Sequence, residues 1–203
     1  MRNLLYIFIC LSIVSCSLDE TTLYSESFGV VYKSQDDKLY FRSDEGQVLI
    51  PTHDVSSFVG AGDRVWTTYS IEEESPNKDT LKVLPYRITQ IKALELRAKS
   101  EINDVGVDLW NVWIAQNFLT LDFRIRANNA DKIKDHEYAL VSRKSNDTLF
   151  IDFKHDSKGD NEGVLCRTAI AVKLDNTNTT ESTIAVNYKD LLGNKQTIYR
   201  AIK

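Results

Sequence analysis

The chain has 203 residues, of which 42% are hydrophobic and 27% are charged, a composition typical of folded globular proteins rather than disordered ones. The formal net charge of −4 at pH 7 gives no indication of a general attraction to nucleic acid or to anionic lipid. Of the three cysteines, only Cys166 lies outside the first 16 residues. We therefore expect no intramolecular disulfide, and we predict that Cys166 is a small buried hydrophobic residue.

The amino-terminal residues have the pattern of a lipoprotein signal. Arg2 precedes the apolar run Leu4–Val14, which is too short for a membrane span of about 20 residues and fits the core of a signal peptide, about 7–15 residues long. The small residue Ser15 then precedes Cys16, whose thiol can carry a lipid. The sequence predicts a signal peptide over residues 1–15, cleavage between Ser15 and Cys16, and acylation of Cys16, with palmitate as a component. The alternative is an ordinary secretory signal in which Cys16 is incidental.

Residues 16–26 are predicted to form a flexible tether between the lipid and the folded part. Ser17, and not Asp, follows Cys16, so the usual signal for inner-membrane retention is absent. The acidic pair Asp19 and Glu20 resembles tags that send lipoproteins to the cell surface, although a polar tether explains it equally well. We expect an outer-membrane lipoprotein, anchored to the bilayer by Cys16, on either the periplasmic or the cell-surface face.

The first half of the mature chain reads as short strands separated by turns, which is typical of a β-barrel or sandwich. Strand signals cover residues 28–32, 38–42, 47–50, 64–71 and 84–96. A polar stretch over residues 72–80 predicts a long hairpin loop, and residues 53–58 could form one helical turn. These elements predict a barrel over residues 27–98, followed by a boundary at residues 98–105.

The second half, residues 99–203, is predicted to be an antiparallel β-sandwich. Residues 119–126 alternate strictly between apolar and polar side chains, which indicates a sheet with one face in solvent. Asp122 and Arg124 would form a surface pair on that face. Trp110 and Trp113 are expected in a core or between the domains, with an exposed carbohydrate- or protein-binding face as the alternative. Further strand signals cover residues 148–154, 184–189 and 196–202, and residues 131–137 could form a helical turn.

The order of these features resembles the NigD-like lipoproteins. The first half resembles their amino-terminal OB-type domain in Gly29–Val31, the turn Asp44–Gly46 and the segment Gly62–Ile71. The second half resembles their carboxy-terminal β-sandwich domain, best in Leu109–Ile114 and Asn117–Phe123. The resemblance covers nearly the whole mature chain and implies an all-β protein with an OB-like barrel before the sandwich. It implies no catalytic residues, and the family name implies a suggested role in immunity to a bacteriocin.

No arrangement of residues in the sequence indicates a metal site, a cofactor or a catalytic centre. The three histidines His53, His136 and His155 are widely spaced and form no paired-ligand motif. The loop over residues 155–163 has several oxygen-bearing side chains, but Lys158 stands where a calcium loop needs a ligand, so a solvated hairpin tip is expected. Hydrolase and phosphate-binding motifs are absent from the sequence.

Nucleic-acid binding is considered because OB barrels often bind single strands through aromatic and basic side chains. The rings available are Tyr40, Phe41, Trp66 and Tyr69, and the nearby charges are Lys38, Arg42 and Arg64. Neighbouring residues of a strand point to opposite faces, so about half of these rings must belong to the core. With a net-acidic chain, we predict no nucleic-acid partner.

Two short motifs resemble O-glycosylation sites of exported proteins in the lineage that carries this family. They are Asp79-Thr80-Leu81 and Asp147-Thr148-Leu149. Thr80 lies in a predicted loop and is therefore the better candidate, with Thr148 second. Motifs of this length also occur by chance.

The leading functional hypothesis is a lipid-anchored binding or assembly module whose partner is an envelope protein or glycan, without catalytic activity. Two alternatives stay open. One is an immunity lipoprotein against a bacteriocin, by analogy with the family name. The other is an enzyme acting on envelope glycans or peptides, which a deep pocket holding two carboxylates with shifted pKa values would favour.

Overall fold

A computed structural model describes residues 24–174 and 181–202 of the chain, so the predicted cleavage site at Ser15 and the lipidation site at Cys16 lie outside the described residues. Within this part the protein is built of strands, with one short 3₁₀ helix, and the predicted all-β class is confirmed. No helix of the described part has the length and apolar character needed to cross a membrane.

Five strands form a closed barrel at the amino-terminal end of the described part. They are β1 (Ser25–Lys33), β2 (Leu39–Ser43), β3 (Val48–Pro51), β4 (Arg64–Glu74) and β5 (Thr80–Gln90). The order around the barrel is β1-β2-β3-β5-β4, with β3 and β5 parallel and the other pairs antiparallel. Buried aliphatic and aromatic residues, among them Phe41, Leu49 and Val83, fill the interior. The predicted OB-like barrel is therefore confirmed.

Nine further strands form two facing sheets, which confirms the predicted sandwich. They are β6 (Lys92–Leu94), β7 (Leu96–Arg97), β8 (Asp108–Ala115), β9 (Phe118–Ala127), β10 (Glu137–Ser145), β11 (Thr148–Asp156), β12 (Val164–Lys173), β13 (Thr183–Lys189) and β14 (Lys195–Ala201). One sheet has the order β14-β13-β11-β10-β7 and the other β6-β12-β9-β8. The core between them includes Leu121, Phe123 and Ile151 at 0% exposure. The 3₁₀ helix Ala130–Asp135 joins the two sheets, close to the helical turn predicted at residues 131–137.

The change from barrel to sandwich occurs earlier in the chain than the predicted boundary. Residues 84–96 do not form one strand, because β5 ends at Gln90 and Ile91 is buried between the domains. The next two short strands pair with the sandwich: β6 runs parallel to β12, and β7 runs parallel to β10. By strand pairing, the sandwich begins at Lys92 and not at residue 99.

The alternation predicts that the polar side chains of β9 face solvent, but much of this polar face is covered. The barrel packs against it, so Thr120 is 0% exposed and Asp122 is 4% exposed. Only the end of this face stays open, with Arg124 partly exposed and Arg126 exposed. Period-two alternation separates apolar from polar residues, but it does not indicate whether another domain covers the polar ones.

Candidate functional site

A buried ion pair of the barrel lies where the sandwich packs against it. Arg64, on β4, is 2% exposed, and its guanidinium donates two hydrogen bonds to the carboxylate of Asp44, one of them Nη1 to Oδ1 at 2.5 Å. The same guanidinium donates to Thr120 Oγ1 on β9, from Nε at 3.2 Å and from Nη2 at 2.9 Å. Because both charges are removed from water, the pair depends on these extra partners from the sandwich.

The sandwich also supplies two donors to the barrel around Asp44. Trp113 Nε1 donates to Asp44 Oδ2 at 2.6 Å. Gln116 Nε2 donates to the backbone oxygens of Arg42 and Ser43, at 2.6 Å and 3.1 Å. Trp113 thus lies between the domains, one of the two places expected for it. The other tryptophan, Trp110, is 50% exposed at a register shift between β8 and β9.

Arginine and tryptophan side chains stack along the line where the domains meet. The guanidinium of Arg167 lies 4.4 Å from the ring centre of Trp66 on the barrel and 5.4 Å from that of Trp110 on the sandwich. Arg167 also donates to both oxygens of Asp122, at 2.9 Å and 2.8 Å. Hydrogen bonding to Asp122 raises the pKa of Arg167, so the side chain stays cationic.

These contacts correct the predicted surface pair between Asp122 and Arg124. Asp122 is bound by Arg167 of the neighbouring strand β12, while Arg124 donates to Asp108 on β8, from Nε at 2.8 Å. Asp108, on β8, is directly opposite Arg124. Arg167, on β12, also lies opposite Arg124 and reaches Asp122 diagonally with its long side chain. Sequence spacing along β9 alone could not identify those partners.

A cleft of about 720 Å³ opens beside this stack, between the barrel strands β4 and β5 and the sandwich strands β6 and β12. Four cationic side chains line it: Arg87, Lys92, Lys134 and Arg167. No carboxylate is among its lining residues, although the protein as a whole is acidic. We call this the interdomain cleft. The electrostatic character of its walls favours an anionic occupant.

Two buried donors at the interdomain cleft have no acceptor among the described residues. They are the hydroxyl of Tyr138, whose side chain belongs to β10, and the indole Nε1 of Trp66. Tyr138 is 6% exposed, and its burial raises the pKa of the phenol, so the hydroxyl is protonated at neutral pH. The Nζ atom of Lys92 lies 5.8 Å from the centre of the same ring. Unsatisfied buried donors are uncommon, and they favour a polar occupant.

The structure brings together two of the histidines that are far apart in the sequence. His136, just after the 3₁₀ helix, and His155, on β11, are both buried, with Nδ1 of the first 2.8 Å from Nε2 of the second. Nε2 of His136 also lies 3.3 Å from Oδ2 of Asp160. Burial, and then the neighbouring His136, lower the pKa of His155 to about 4.

The histidine pair corrects the expectation of a fully solvated hairpin tip over residues 155–163, because His155, Asp156 and Ser157 are buried. Sequence reasoning missed the pair because its members lie on different elements; only the antiparallel pairing of β10 with β11 brings them together. No group of three metal-ligating side chains suited to an ion is found within the described residues.

The remaining predicted sites lie in separate places. Thr80 and Thr148 are the first residues of β5 and β11, and each is half-buried, so Thr80 does not lie in a loop. Cys166 lines the interdomain cleft and is partly exposed, which corrects its expected full burial. The charges and rings considered for nucleic acid do not form one surface, since Arg64, Phe41 and Tyr69 are buried.

Comparison with known proteins gives a family and a set of similar folds. Residues 89–201, more than half of the chain, match the model of the NigD-like C-terminal beta sandwich domain. No curated protein sequence matches the chain.

Several solved structures are similar over nearly their whole length. A NigD-like immunity protein from Bacteroides caccae is 19% identical, with a TM-score of 0.66, over 88% of this chain and 97% of that one. A "putative lipoprotein" from Bacteroides fragilis is 12% identical, with a TM-score of 0.66, over 89% and 99%. A protein of unknown function from Bacteroides vulgatus is 16% identical, with a TM-score of 0.67, over 89% and 92%. At these identities the likeness establishes the two-domain fold and nothing about the ligand.

Proposed function

The chain belongs to the NigD-like family, and on that premise we propose that it is a lipid-anchored binding or assembly module of the cell envelope, without catalytic activity. The observation that carries the proposal is the buried cluster of Arg64, Asp44 and Thr120, which fixes the barrel against the sandwich. A fixed pair of domains keeps the interdomain cleft preformed, and preformed sites bind at a lower entropic cost. The partner is an envelope protein or glycan, and nucleic acid is not a partner.

The absence of catalysis is supported by how the carboxylates near the interdomain cleft are used. Asp122 is bound to Arg167 and Asp44 to Arg64, so neither is available as a general acid or base. A glycosidase needs two carboxyl groups facing one bond, and the lining of the interdomain cleft contains none. The charged side chains that do line it are cationic and are suited to holding an anion.

We further propose that Cys16 anchors the protein to the outer membrane, on the periplasmic or the cell-surface face. The support is the signal pattern ending at Ser15 and Cys16, together with a structural neighbour named as a lipoprotein. One acyl chain holds a protein only marginally, whereas the two or three chains of a lipidated cysteine hold it stably. Thr80 and Thr148 stay predicted sites of O-glycosylation.

The anchoring proposal is tested by replacing Cys16 with serine and labelling cells with palmitate. We expect the wild-type protein to incorporate label and to fractionate with the outer membrane, and Cys16→Ser to remain an unlabelled precursor. Cys10→Ser serves as the matched control, because bulky Ile9 precedes it and disfavours cleavage there. Label entering Cys16→Ser would contradict the assignment.

The binding proposal is tested by crosslinking intact cells that carry the lipidated, affinity-tagged protein, followed by purification under denaturing conditions. One envelope component recovered in stoichiometric amount is expected. Recovery of no such component, or turnover of purified envelope glycan or peptide by the protein, would contradict a non-catalytic binding module. Protease shaving of the same cells shows which face of the outer membrane the protein occupies.

A second candidate function, immunity to a secreted toxin, is favoured by the structural neighbour named as a NigD-like immunity protein. It would make the partner a toxin and the protein its inhibitor at the membrane. The test is survival of cells, with and without the protein, when they are exposed to toxins secreted by competing strains. Equal survival of the two strains would count against it.

A further inference from the structure

We propose that the interdomain cleft is a binding site for a saccharide that carries a carboxylate or phosphate group. The proposal names the ligand class of the binding module argued above and so rests on that function. Neither the family match nor the structural neighbours assign a ligand to this cleft. Three features of the interdomain cleft support the proposal: the charge of its lining, its unsatisfied donors and its volume.

The charge argument starts from three cations that form no ion pair within the part of the chain that the structure describes. Arg87, Lys92 and Lys134 line the interdomain cleft, are exposed, and form no ion pair with any residue between 24 and 174 or between 181 and 202. Other surface lysines do find carboxylates; Lys82, for example, lies 2.9 Å from Glu73. Three like charges around one concavity repel each other, and an anion placed between them would relieve that repulsion.

The second argument comes from the buried donors at the same place. Tyr138 is more than nine-tenths buried and lines the interdomain cleft, and its hydroxyl has no partner in the described part of the chain. Trp66 is only partly buried as a residue, but its indole Nε1 atom is buried and has no acceptor among the described residues. A buried donor without an acceptor is unfavourable, so a ligand oxygen that accepts from either group gains a hydrogen bond there.

Size and polarity favour a sugar over a larger polymer. A volume of about 720 Å³ falls within the range of about 300–1,000 Å³ typical of small-molecule sites. Besides the cations, the lining offers hydroxyl and amide groups from Thr89, Gln90 and Thr168. Such groups form hydrogen bonds with the hydroxyls of a sugar ring, while the cations bind its carboxylate or phosphate.

The experiment measures binding by calorimetry with three probes: digalacturonate, glucose 6-phosphate and the neutral disaccharide digalactose. We expect one or both anionic probes to bind at least about tenfold more tightly than digalactose, and to bind more weakly as salt is added. The carboxylated and phosphorylated probes show which anion the site takes. No binding of either anionic probe, or equal binding of the neutral one, would overturn the proposal.

The site is located by removing its charges. Arg87→Gln, Lys92→Gln and Lys134→Gln together should weaken binding of the anionic probe by at least about tenfold, because charge-assisted hydrogen bonds are lost. The matched control is Lys38→Gln, Arg42→Gln and Lys195→Gln together. It also removes one arginine and two lysines, but from exposed positions outside the interdomain cleft. Equal losses of affinity in the two triple variants would show that the binding is non-specific and would overturn the assignment of the site to the interdomain cleft.

The variant Tyr138→Phe distinguishes a role of the hydroxyl in binding from a role in stability. It removes a hydroxyl that has no hydrogen-bond partner among residues 24–174 and 181–202, so the thermal midpoint should stay unchanged or rise, while affinity for the anionic probe falls by about threefold or more. Tighter binding of tetraglutamate than of either anionic sugar would overturn the saccharide assignment. If the triple cleft variant still captures the envelope component in cells, this inference fails and the binding module itself stands.

Discussion

Arg64 is the residue on which the contact between the domains most depends. Replacing it with methionine keeps the length of the side chain but leaves the carboxylate of Asp44 buried without its cation. We expect the free energy of unfolding to fall by about 3–5 kcal/mol, as measured by urea denaturation, because an uncompensated buried charge is costly. The loss includes the two hydrogen bonds to Thr120.

The matched control for Arg64→Met is Lys82→Met, in the exposed pair with Glu73. Both variants remove one cation of an ion pair on the barrel, but only the first removes it from the interior. Solvent-exposed pairs contribute little, so Lys82→Met should change the free energy of unfolding by less than about 1 kcal/mol. Similar losses in the two variants would contradict the structural importance of the buried pair.

The buried histidine pair should make stability depend on pH in a defined range. Burial and the neighbouring His136 lower the pKa of His155 to about 4 in the folded chain, below its ordinary value of 6.5. A depressed histidine pKa means that the unfolded chain binds the proton more readily. The contribution of neutral His155 to the free energy of unfolding is therefore fully present above pH 6.5. It is lost as the pH falls towards 4, and the total loss is about 3 kcal/mol.

Urea denaturation at a series of pH values measures this loss. His155→Gln keeps an amide that can contact His136 but does not titrate, so the variant should show a much smaller decrease between pH 6.5 and 4. His53→Gln, at an exposed position, should retain the decrease of the wild type. An unchanged decrease in His155→Gln would assign the effect to other groups.

At the scale of a strand, β9 carries the core of the sandwich on one face and the domain contact on the other. Leu121 is 0% exposed in the core, so Leu121→Asp buries a charge with no partner and should prevent the sandwich from folding. Arg126→Asp introduces the same side chain at an exposed position of the same strand. Circular dichroism and thermal melting should show a folded Arg126→Asp and an unfolded Leu121→Asp; equal melting would contradict the face assignment.

The segment that leads into β8 depends on a glycine. A Cβ atom on Gly106 would lie 1.9 Å from the backbone oxygen of Asp190, so Gly106→Ala must displace the contact with the end of β13. We expect a loss of about 1–3 kcal/mol in urea denaturation. Gly60→Ala is the control, because the nearest atom would be 3.8 Å away; a similar loss in both would contradict a steric cause.

The strands could be predicted from the sequence because alternation and turn residues are local signals. Residues 118–126 predict β9, and the turn signals at residues 35–37 and 44–46 fall between the barrel strands. The short strands β6 and β7 could not be predicted, because two- and three-residue strands have no period and are defined only by their partners. The turn between β8 and β9 uses Gln116 and Asn117 at positive φ, with no glycine to indicate it.

The interdomain cleft could not be predicted, because its cations come from β5, β6, β12 and the 3₁₀ helix. Arg87 and Lys134 have no relation in sequence, and only the packing of barrel on sandwich places them together. The resemblance to the NigD-like family, now confirmed, correctly indicated both domains but carried no information on ligand-binding residues. The pattern of charges along the chain predicts which charges share one face of a strand. It does not predict which charges meet on a surface that two domains form together.

At the scale of the whole molecule, each domain has its own core, and a small set of contacts couples them. The wild-type protein should therefore unfold in a single calorimetric transition, because the buried Arg64–Asp44 pair of the barrel has its further hydrogen-bond partners, Thr120 and Trp113, only when the domains are together. Thr120→Val with Trp113→Phe removes the hydrogen bonds of Thr120 and Trp113 with this pair, and leaves in place the pair itself and the longer bond, 3.3 Å, from Gln116 Nε2 to Asp44 Oδ1.

We expect the double variant to unfold in two calorimetric transitions, one for each domain, and to become sensitive to protease between β5 and β6. The control, Thr183→Val with Trp110→Phe, changes the same residue types at positions outside the cluster and should keep one transition. Each domain retains its own core in both variants. A difference between them in the number of calorimetric transitions therefore reports only the coupling between the domains. A single transition that merely shifts to lower temperature in the double variant would show that apolar contacts around Ile91, and not these hydrogen bonds, hold the domains together.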